Sequence, residues 1–308
     1  MQTTVEILLA AWNGAPFIRA QIDSILAQSE TRWHLTVSDD GSTDETPQIL
    51  QEYAAAHPDK ISVYSSGKRF GNARDHFFHL MNVCPAAYMM FCDQDDVWHA
   101  DKVEKTLKAL LDGEKKHGKD MPLLVFTDLR PVDAVLHPLA PSLMQYQKQY
   151  TDVIDYRALL LQNVITGCTV GINRALKEKA ALCRDYTQTL MHDWWLGLTA
   201  ARFGKAIFLN EATIDYRQHG RNSVGAQDVS SLKHILGRLS HLKALRKTIV
   251  DKKLQAKVFL NTYQEALTPQ DTAFLTAFAR SHTGPFFYFR HRALIHGFFR
   301  LAGLMVLG

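Results

Sequence analysis

Short apolar runs alternate with amphipathic helical patterns over residues 5–216 of the chain. The runs Val5–Ala11, Trp33–Ser38 and Ala87–Cys92 are each bounded by polar turn residues, which is typical of buried strands. Between these runs, apolar residues recur at helical spacing, as in residues 102–116. Such an alternation predicts an α/β fold, with a mostly parallel central sheet and helices on both of its faces.

The length and the charge distribution indicate how the chain is divided. Its 308 residues, 46% hydrophobic and 21% charged, permit a sizeable core. We predict an α/β domain over residues 1–226 and a helical extension over residues 227–308. The first part carries 23 Lys+Arg and 27 Asp+Glu, whereas the second carries 12 and 4. The basic extension therefore favours an anionic surface as its partner.

Four cysteines are present, and none of them forms a Cys-x-x-Cys pair, which argues against a zinc knuckle and a redox motif. We expect them to be reduced and mostly buried, as in a cytoplasmic protein. They are Cys84, Cys92, Cys168 and Cys183. We recognise no signal peptide and no apolar stretch of transmembrane length.

Polar clusters follow three of the predicted strands. They occupy residues 12–14, 39–42 and 93–96, and the last two contain five aspartates. Ligands of open α/β sheets bind beyond the carboxyl ends of the strands, so these clusters predict a single site. Carboxylates would repel a phosphate-bearing ligand unless a divalent cation, Mg²⁺ or Mn²⁺, binds both.

Asp93 and Asp95 are spaced so that both side chains lie on one side of an extended segment. One carboxylate can then hold a metal while the other accepts a hydrogen bond from a nearby hydroxyl. The alternative is a solvated acidic loop. No Gly-x-Gly-x-x-Gly and no Walker-type motif occurs, which argues against a dinucleotide oxidoreductase and a P-loop phosphotransferase.

Four segments together resemble the family 2 glycosyltransferases. They read AAWNG (10–14), DDGSTD (39–44), GNARD (71–75) and DQDDVW (93–98). The last segment, together with YRQH (216–219), is most similar to bacterial rhamnosyltransferases of surface-polysaccharide synthesis. The resemblance covers residues 1–226 and implies a glycosyltransferase-A fold, Rossmann-like, with the C-terminal helices outside it.

The resemblance implies a nucleotide site at the ends of the first two strands. The backbone of Ala11, Trp12 and Asn13 and the carboxylate of Asp40 would hold the base and ribose, and Asp39 is a neighbouring candidate. Trp12 stands where tyrosine is commoner in the family, and its ring can still stack on a base.

Further positions take their roles from the same resemblance. Asp93 would approach the ribose or a phosphate, and Arg74 the nucleotide or donor sugar, although Asp75 stands where asparagine is common. Arg74 is alternatively a cation on a helix surface. Asp95 and His219 would bind the metal, and an imidazole suits Mn²⁺ better than Mg²⁺. His219 is alternatively a hydrogen-bonded structural histidine.

The acceptor side is predicted around residues 192–195. The resemblance implies that Asp193 is the general base that an inverting transfer needs; alternatively it caps the following helix. Trp194 and Trp195 face different sides of that helix, one towards the core and the other towards the acceptor. Arg217 and Arg221 are candidates to meet the departing diphosphate, or are surface charges.

These features predict an inverting, metal-dependent glycosyltransferase, with rhamnose expected from the resemblance alone. The donor would be dTDP- or UDP-linked, and the acceptor a saccharide or a lipid-linked saccharide. A donor of another hexose or N-acetylhexosamine is an alternative. Two further alternatives are a glycoside hydrolase that uses Asp95 and Asp193, and a non-catalytic nucleotide-sugar binding module.

The C-terminal extension favours a location at a membrane. Residues 285–308 combine phenylalanines with arginines, a composition typical of a helix in the membrane interface. The alternatives are a helical cap on the α/β domain and a subunit contact, and nucleic-acid binding is not predicted. We therefore expect a cytoplasmic protein that is peripheral on the inner face of the cell membrane.

Overall fold

A computed structural model of the chain describes residues 4–149, 154–219, 242–280, 283–295, 301, 304 and 305. Within these residues, eight strands form one sheet in the order β3-β2-β1-β4-β7-β6-β8-β5. The strands are β1 (Val5–Ala11), β2 (Trp33–Asp39), β3 (Ile61–Val63), β4 (Tyr88–Asp93), β5 (Val97–Trp98), β6 (Leu123–Val132), β7 (Gly171–Asn173) and β8 (Lys205–Arg217).

The helices of the described residues connect these strands and continue beyond them. They are α1 (Ile18–Leu26), α2 (Thr46–Ala56), α3 (Ala73–Val83), α4 (Lys102–His117), α5 (Leu143–Tyr146), α6 (Tyr156–Leu161), α7 (Arg174–Ala180), α8 (His192–Phe203), α9 (Leu242–Tyr263), α10 (Pro269–Phe278) and α11 (Pro285–Arg290). The α/β fold is therefore confirmed.

The sheet is mixed in its strand directions. The parallel pairs are β1 with β2, β1 with β4, β2 with β3, and β6 with β8. The antiparallel pairs of the described strands all involve β5 or β7. The parallel part carries the strand ends at which the sequence predicts a site.

The apolar pattern of residues 167–172 also predicts a strand, and this prediction is wrong at the beginning of the segment. Residues Gly167–Thr169 form a 3-10 turn, and β7 begins only at Gly171. The turn is closed because both the backbone N–H and the hydroxyl of Thr169 donate to the carbonyl of Thr166. The two-residue strand β5 and the one-turn helix α5 are too short for a periodicity to reveal them.

Apolar side chains cover both faces of the sheet. On one face Val5, Ile7 and Leu9 of β1 pack in a core with α1, α2 and α4. On the other face Leu8 packs with α3 and with helices α6 to α8. Burial on both faces explains why β1 reads as a continuous apolar run and not as an alternating pattern. All four cysteines are free and buried, as expected.

The described part of the C-terminal extension packs on the second of these faces. Phe259 and Tyr263 of α9 lie against the ring of Trp195, with ring centroids 5.5 and 5.9 Å away. Leu275 and Phe278 of α10 join the same core. Helices α9 and α10 are thus a cap on the α/β layers. Among the described helices, none is both long enough and apolar enough to cross a membrane.

Candidate active site

The strand order brings the predicted polar clusters to one edge of the sheet. Because β1 lies between β2 and β4, Ala11 is paired with Asp39 and Ala10 with Asp93. Strand β5 follows the acidic turn directly and pairs with the end of β8, Val97 opposite Asp215. Residues 216–219 therefore arrive beside residues 93–96, as one site requires.

The carboxylates of Asp39 and Asp40 are bonded to the local backbone. Asp39 accepts hydrogen bonds from the N–H groups of Gly41 and Ser42, and from the Ser42 hydroxyl. Asp40 is buried and accepts from the N–H groups of Phe70 and Gly71. Asp40 thus ties the end of β2 to the loop before α3, and its contact with a nucleotide stays a prediction.

Trp12 presents an exposed aromatic surface beside this loop. Its side chain is 51% exposed, and the guanidinium of Arg69 lies 5.8 Å from the ring centroid. The backbone of Trp12 exchanges two hydrogen bonds with the amide of Gln94, at 2.8 and 2.9 Å. Asn13, in the left-handed conformation at φ 49°, accepts a hydrogen bond from the N–H of Thr43. A planar base could stack on such a ring.

Two aspartates of the acidic turn lie in a low-dielectric environment. Burial, together with Asp95 and Asp193, raises the pKa of Asp93 to about 7. Asp96 is fully buried; its Oδ1 accepts from the N–H of Arg217 at 3.2 Å, and its Oδ2 has no hydrogen-bond partner among the described residues. Burial also raises the pKa of Asp96 well above its usual value.

A third donor, the thiol of Cys168, lies beside these acids. One ligand atom each of Asp93, Asp96 and Cys168 falls within 4.8 Å of the others. Burial raises the pKa of Cys168 well above its usual value, so the sulfur stays protonated. A protonated thiol is a poor ligand for the hard cations Mg²⁺ and Mn²⁺.

The two predicted metal ligands lie next to one another. The Nε2 atom of His219 is 2.8 Å from Oδ2 of Asp95, and both side chains are largely buried. The ring of Phe17 stacks on His219 with the centroids 4.6 Å apart. The imidazole is thus held in one orientation from both sides.

Arg217 is buried and is not a surface charge. Its guanidinium donates to the carbonyls of Asp95 and Ala134 at 2.8 and 2.7 Å, and lies 5.1 Å from the ring centroid of Phe17. It therefore holds the acidic turn against the end of β8. Arg221 lies outside the described residues.

Arg74 connects α3 to the segment that leads into α8. It pairs with Asp75 at 2.8 Å, and its Nη1 donates to the carbonyls of Thr187 and Thr189 at 2.9 Å each. The guanidinium is thus more than a cation on a helix surface. Its proximity to a nucleotide or donor sugar stays a prediction.

Asp193 lies in the first turn of α8 and is buried. Its Oδ2 accepts a hydrogen bond from Nδ2 of Asn163 at 3.2 Å, whereas its Oδ1 has no partner in the described part of the chain. Burial raises the pKa of Asp193 to about 6, and the N–H of Trp194 and the amide of Asn163 lower it by less. The alternative that Asp193 caps the helix is wrong: the N-cap of α8 is Met191, and Asp193 is an acid of the first turn, where its charge suits the helix dipole.

The residues around Asp193 are closely packed. Trp195 is fully buried in the core, as expected for one of the two tryptophans, while Trp194 is partly buried and donates to the carbonyl of Leu159 at 2.7 Å. His192 is buried, and burial lowers its pKa to about 3. A Cβ atom on Gly167 would lie 2.9 Å from the His192 ring, so this position needs glycine.

Sequence patterns did not identify three residues of this site. Gln94 lies inside the DQDDVW segment, but only the adjacency of β1 and β4 brings it to Trp12. Asn163 stands in no motif. Lys102 is fully buried, with Nζ 4.7 Å from the ring centroid of Trp98, and burial lowers its pKa to about 8. A lysine at the start of a charged helix gives no sign of such burial.

Comparison with known proteins gives a consistent result. The family model "Glycosyl transferase family 2" matches residues 6–176. The dTDP-rhamnosyl transferase RfbG of Shigella flexneri is 28% identical over 230 residues, 71% of this chain and 74% of that protein. The putative teichuronic acid biosynthesis glycosyltransferase TuaG of Bacillus subtilis is 28% identical over 214 residues, 69% of this chain and 78% of that protein.

Among solved structures, S. aureus TarS 1–349 in complex with UDP-GlcNAc superimposes with a TM-score of 0.54 at 15% identity. The match covers 95% of this chain and 84% of that one. Against the longer TarS structure, with a TM-score of 0.57 at 16% identity, the match covers 90% of this chain and only 43% of that one. This similarity shows the glycosyltransferase-A fold. With the family model spanning more than half of its length, the chain belongs to glycosyl transferase family 2.

Proposed function

We propose that this family 2 enzyme is an inverting, metal-dependent glycosyltransferase. It moves a sugar from a nucleoside diphosphate to the hydroxyl of a saccharide or lipid-linked saccharide. The convergence of three carboxylates carries this proposal: burial raises the pKa of Asp93, and the charges of Asp95 and of Asp193, which belongs to a distant helix, raise it further. Donor and acceptor would meet between them.

A divalent cation fits the pair formed by Asp95 and His219. A carboxylate oxygen and an imidazole nitrogen are both suitable ligands for Mn²⁺, and here they face each other at 2.8 Å. The neighbouring carboxyl of Asp96 has a buried Oδ2 without a hydrogen-bond partner among the described residues. Asp95 and His219 would hold the cation, which when bound would neutralise charge on the leaving diphosphate.

Asp193 has the features of a general base. Its Oδ1 is buried and has no hydrogen-bond partner in the described residues, which leaves this oxygen to accept the proton of a bound acceptor hydroxyl. The hydroxyl oxygen forms its bond to the anomeric carbon while the bond to the diphosphate breaks on the opposite side. The configuration therefore inverts, and the proton ends on Asp193.

The donor we propose is dTDP-rhamnose. Two observations support it: the similarity to dTDP-rhamnosyl transferase RfbG over 71% of the chain, and the motif at residues 216–219. The similarity to TuaG, whose name refers to teichuronic acid, supports an acceptor in cell-surface polysaccharide synthesis. A UDP-linked donor, and another hexose or N-acetylhexosamine, are the alternatives.

We further propose that α11 contacts the inner face of the cell membrane. Phe286 and Phe289 are 75% and 51% exposed, and Arg290 and Arg292 follow them. Exposed aromatic rings beside arginines suit an anionic membrane interface, where a lipid-linked acceptor would be reached.

Release of free nucleoside diphosphate tests the function. The purified chain is incubated with dTDP-rhamnose and Mn²⁺, with and without saccharide acceptors, and a panel of other nucleotide sugars is run in parallel. We expect the acceptor to stimulate release of the nucleoside diphosphate and EDTA to abolish it. A glycosidic product of inverted configuration should form at the same time. Cleavage of glycosides without any nucleotide would instead indicate a hydrolase. Donor binding without turnover would indicate a binding module.

A further inference from the structure

The side chain of Asn163 lies between the end of α6 and the first turn of α8. Its Oδ1 accepts a hydrogen bond from the N–H of Ile165 at 3.0 Å, and its Nδ2 donates to the carbonyl of Ile165 at 2.8 Å. These two bonds to the backbone of one residue fix which end of the amide is which. The NH₂ group is therefore the end that reaches Asp193.

Asn163 contacts only one of the two oxygens of Asp193. Its Nδ2 lies 3.2 Å from Oδ2, while Oδ1 is buried and has no partner in the described part of the chain. An amide donor stabilises a carboxylate more than the neutral acid. The amide of Asn163 also fixes the orientation of the Asp193 carboxylate, because its two hydrogen bonds to Ile165 prevent the amide from rotating.

Among the other groups around Asp193, the N–H of Trp194 also favours its charged form, and no other side chain of the described residues donates a hydrogen bond to it. The carboxyl of Asp93, at the end of β4, has the same sign of charge. His192, in the same turn, is held neutral by burial, which lowers its pKa to about 3. From α9, Lys252 has its ammonium 5.6 Å from the ring centroid of Trp194, the next residue along α8.

We propose that Asn163 is a positioning residue for the reaction: it holds Oδ2 of Asp193 so that Oδ1 faces the acceptor hydroxyl, and it stabilises the charged form of the base. This proposal rests on the role of Asp193 given above. No motif of the sequence marks Asn163, which lies just beyond the end of α6 and contacts the first turn of α8.

Direct titration of Asp193 tests the hydrogen bond without any need for turnover. The full chain is labelled with ¹³C at the aspartate carboxyls, and the NMR signal absent from Asp193→Asn is assigned to Asp193. In Asn163→Ala we expect the pKa of Asp193 to rise by about one unit. In Asn163→Asp, which keeps the shape and the acceptor for Ile165, we expect a larger rise through repulsion.

The matched control is Gln162→Ala, which removes the adjacent amide and should leave the pKa of Asp193 unchanged. An unchanged pKa of Asp193 in both Asn163 variants would overturn the proposal. Because Asn163→Asp is isosteric, it keeps the test available if Asn163→Ala fails to fold.

Kinetics then separate this inference from the proposed function. With dTDP-rhamnose, the acidic limb of kcat should move to higher pH in Asn163→Ala by the shift seen in the titration, with KM for the donor within about twofold. A loss of kcat that is equal at every pH would mean a purely structural role and would reject the positioning role. Normal turnover by Asp193→Asn would instead refute the base, whatever the Asn163 variants do.

Discussion

The Nε2 atom of His219 lies 2.8 Å from Oδ2 of Asp95, although 124 positions separate the two residues in the chain. Strand β5 produces this contact, because it starts immediately after the acidic turn and pairs antiparallel with the end of β8. A carboxylate and an imidazole are thus placed side by side at the edge where the donor's diphosphate would lie.

If these two side chains hold the cation, His219→Ala should lower the affinity for Mn²⁺. Removal of a residue that only supports a metal ligand lowers metal affinity roughly 10- to 100-fold, and the loss of a ligand itself should lower the Mn²⁺ affinity by at least as much. Calorimetric titration of Mn²⁺ into the protein in the presence of dTDP measures it. His137→Ala is the control, since His137 contacts Asp133 in a similar pair at 3.1 Å on the surface. Equal Mn²⁺ affinity in the two variants would contradict the assignment.

Asp193→Asn removes the proposed base while keeping the shape of the side chain. Because general-base help is worth about 10²–10⁴-fold, kcat should fall by that order. Affinity for the nucleotide should stay the same, because the proposed role places Asp193 on the acceptor side. Turnover and dTDP binding are measured on the same preparation, with the exposed Asp112→Asn as the control. Near-normal kcat would remove Asp193 from the reaction.

The pH dependence of turnover should report the same carboxyl. Burial raises the pKa of Asp193 to about 6, so the side chain is protonated below that pH and charged above it. Only the charged form can take a proton, so kcat at saturating donor should rise about tenfold per pH unit below this value and level off above it. A kcat that is constant from about pH 5 to about pH 7 would exclude a base with this pKa.

Asp40→Ala should destabilise the loop before α3. The substitution leaves the N–H groups of Phe70 and Gly71 without their acceptor, and we expect a cost of about 1–3 kcal/mol in the free energy of unfolding. Urea denaturation measures this cost. Asp112→Ala removes a surface pair with Lys108 and should leave the free energy of unfolding nearly unchanged. A similar effect of both substitutions would mean that the Asp40 contacts contribute little.

Membrane contact through α11 predicts that Phe286 and Phe289 are needed for binding to vesicles of anionic phospholipid. Insertion of a phenylalanine ring is worth about 1.5–3 kcal/mol, so replacing both by serine should weaken binding more than tenfold in a flotation assay. Val135 and Leu139, 69% and 52% exposed elsewhere on the surface, give the control pair when replaced by serine. Equal flotation of the two double variants would refute the contact.

Strands and helices could be predicted from the sequence where the spacing of apolar residues was regular and the element was long enough to show it. Strand β1 has the bounds that the pattern predicts, and helix α4 extends one residue beyond the predicted range 102–116, because the spacing of apolar residues follows from which side of each element is buried. The antiparallel insertion of β7 was not predicted, since the direction of a strand depends on its partners and leaves no local pattern. The turn that precedes β7 was mistaken for its beginning.

The candidate site divides in the same way. The sequence by itself determined which side chains are candidates for the chemistry, because Asp95, Asp193 and His219 stand in short motifs of distinctive composition. Only the tertiary structure decided which residues surround these side chains and what each neighbour contacts. Asp40 holds a backbone loop, Arg217 is buried, and Asn163 contacts Asp193. The physical reason is that hydrogen bonding and burial depend on neighbours from distant segments, and packing brings such neighbours together without a local signal.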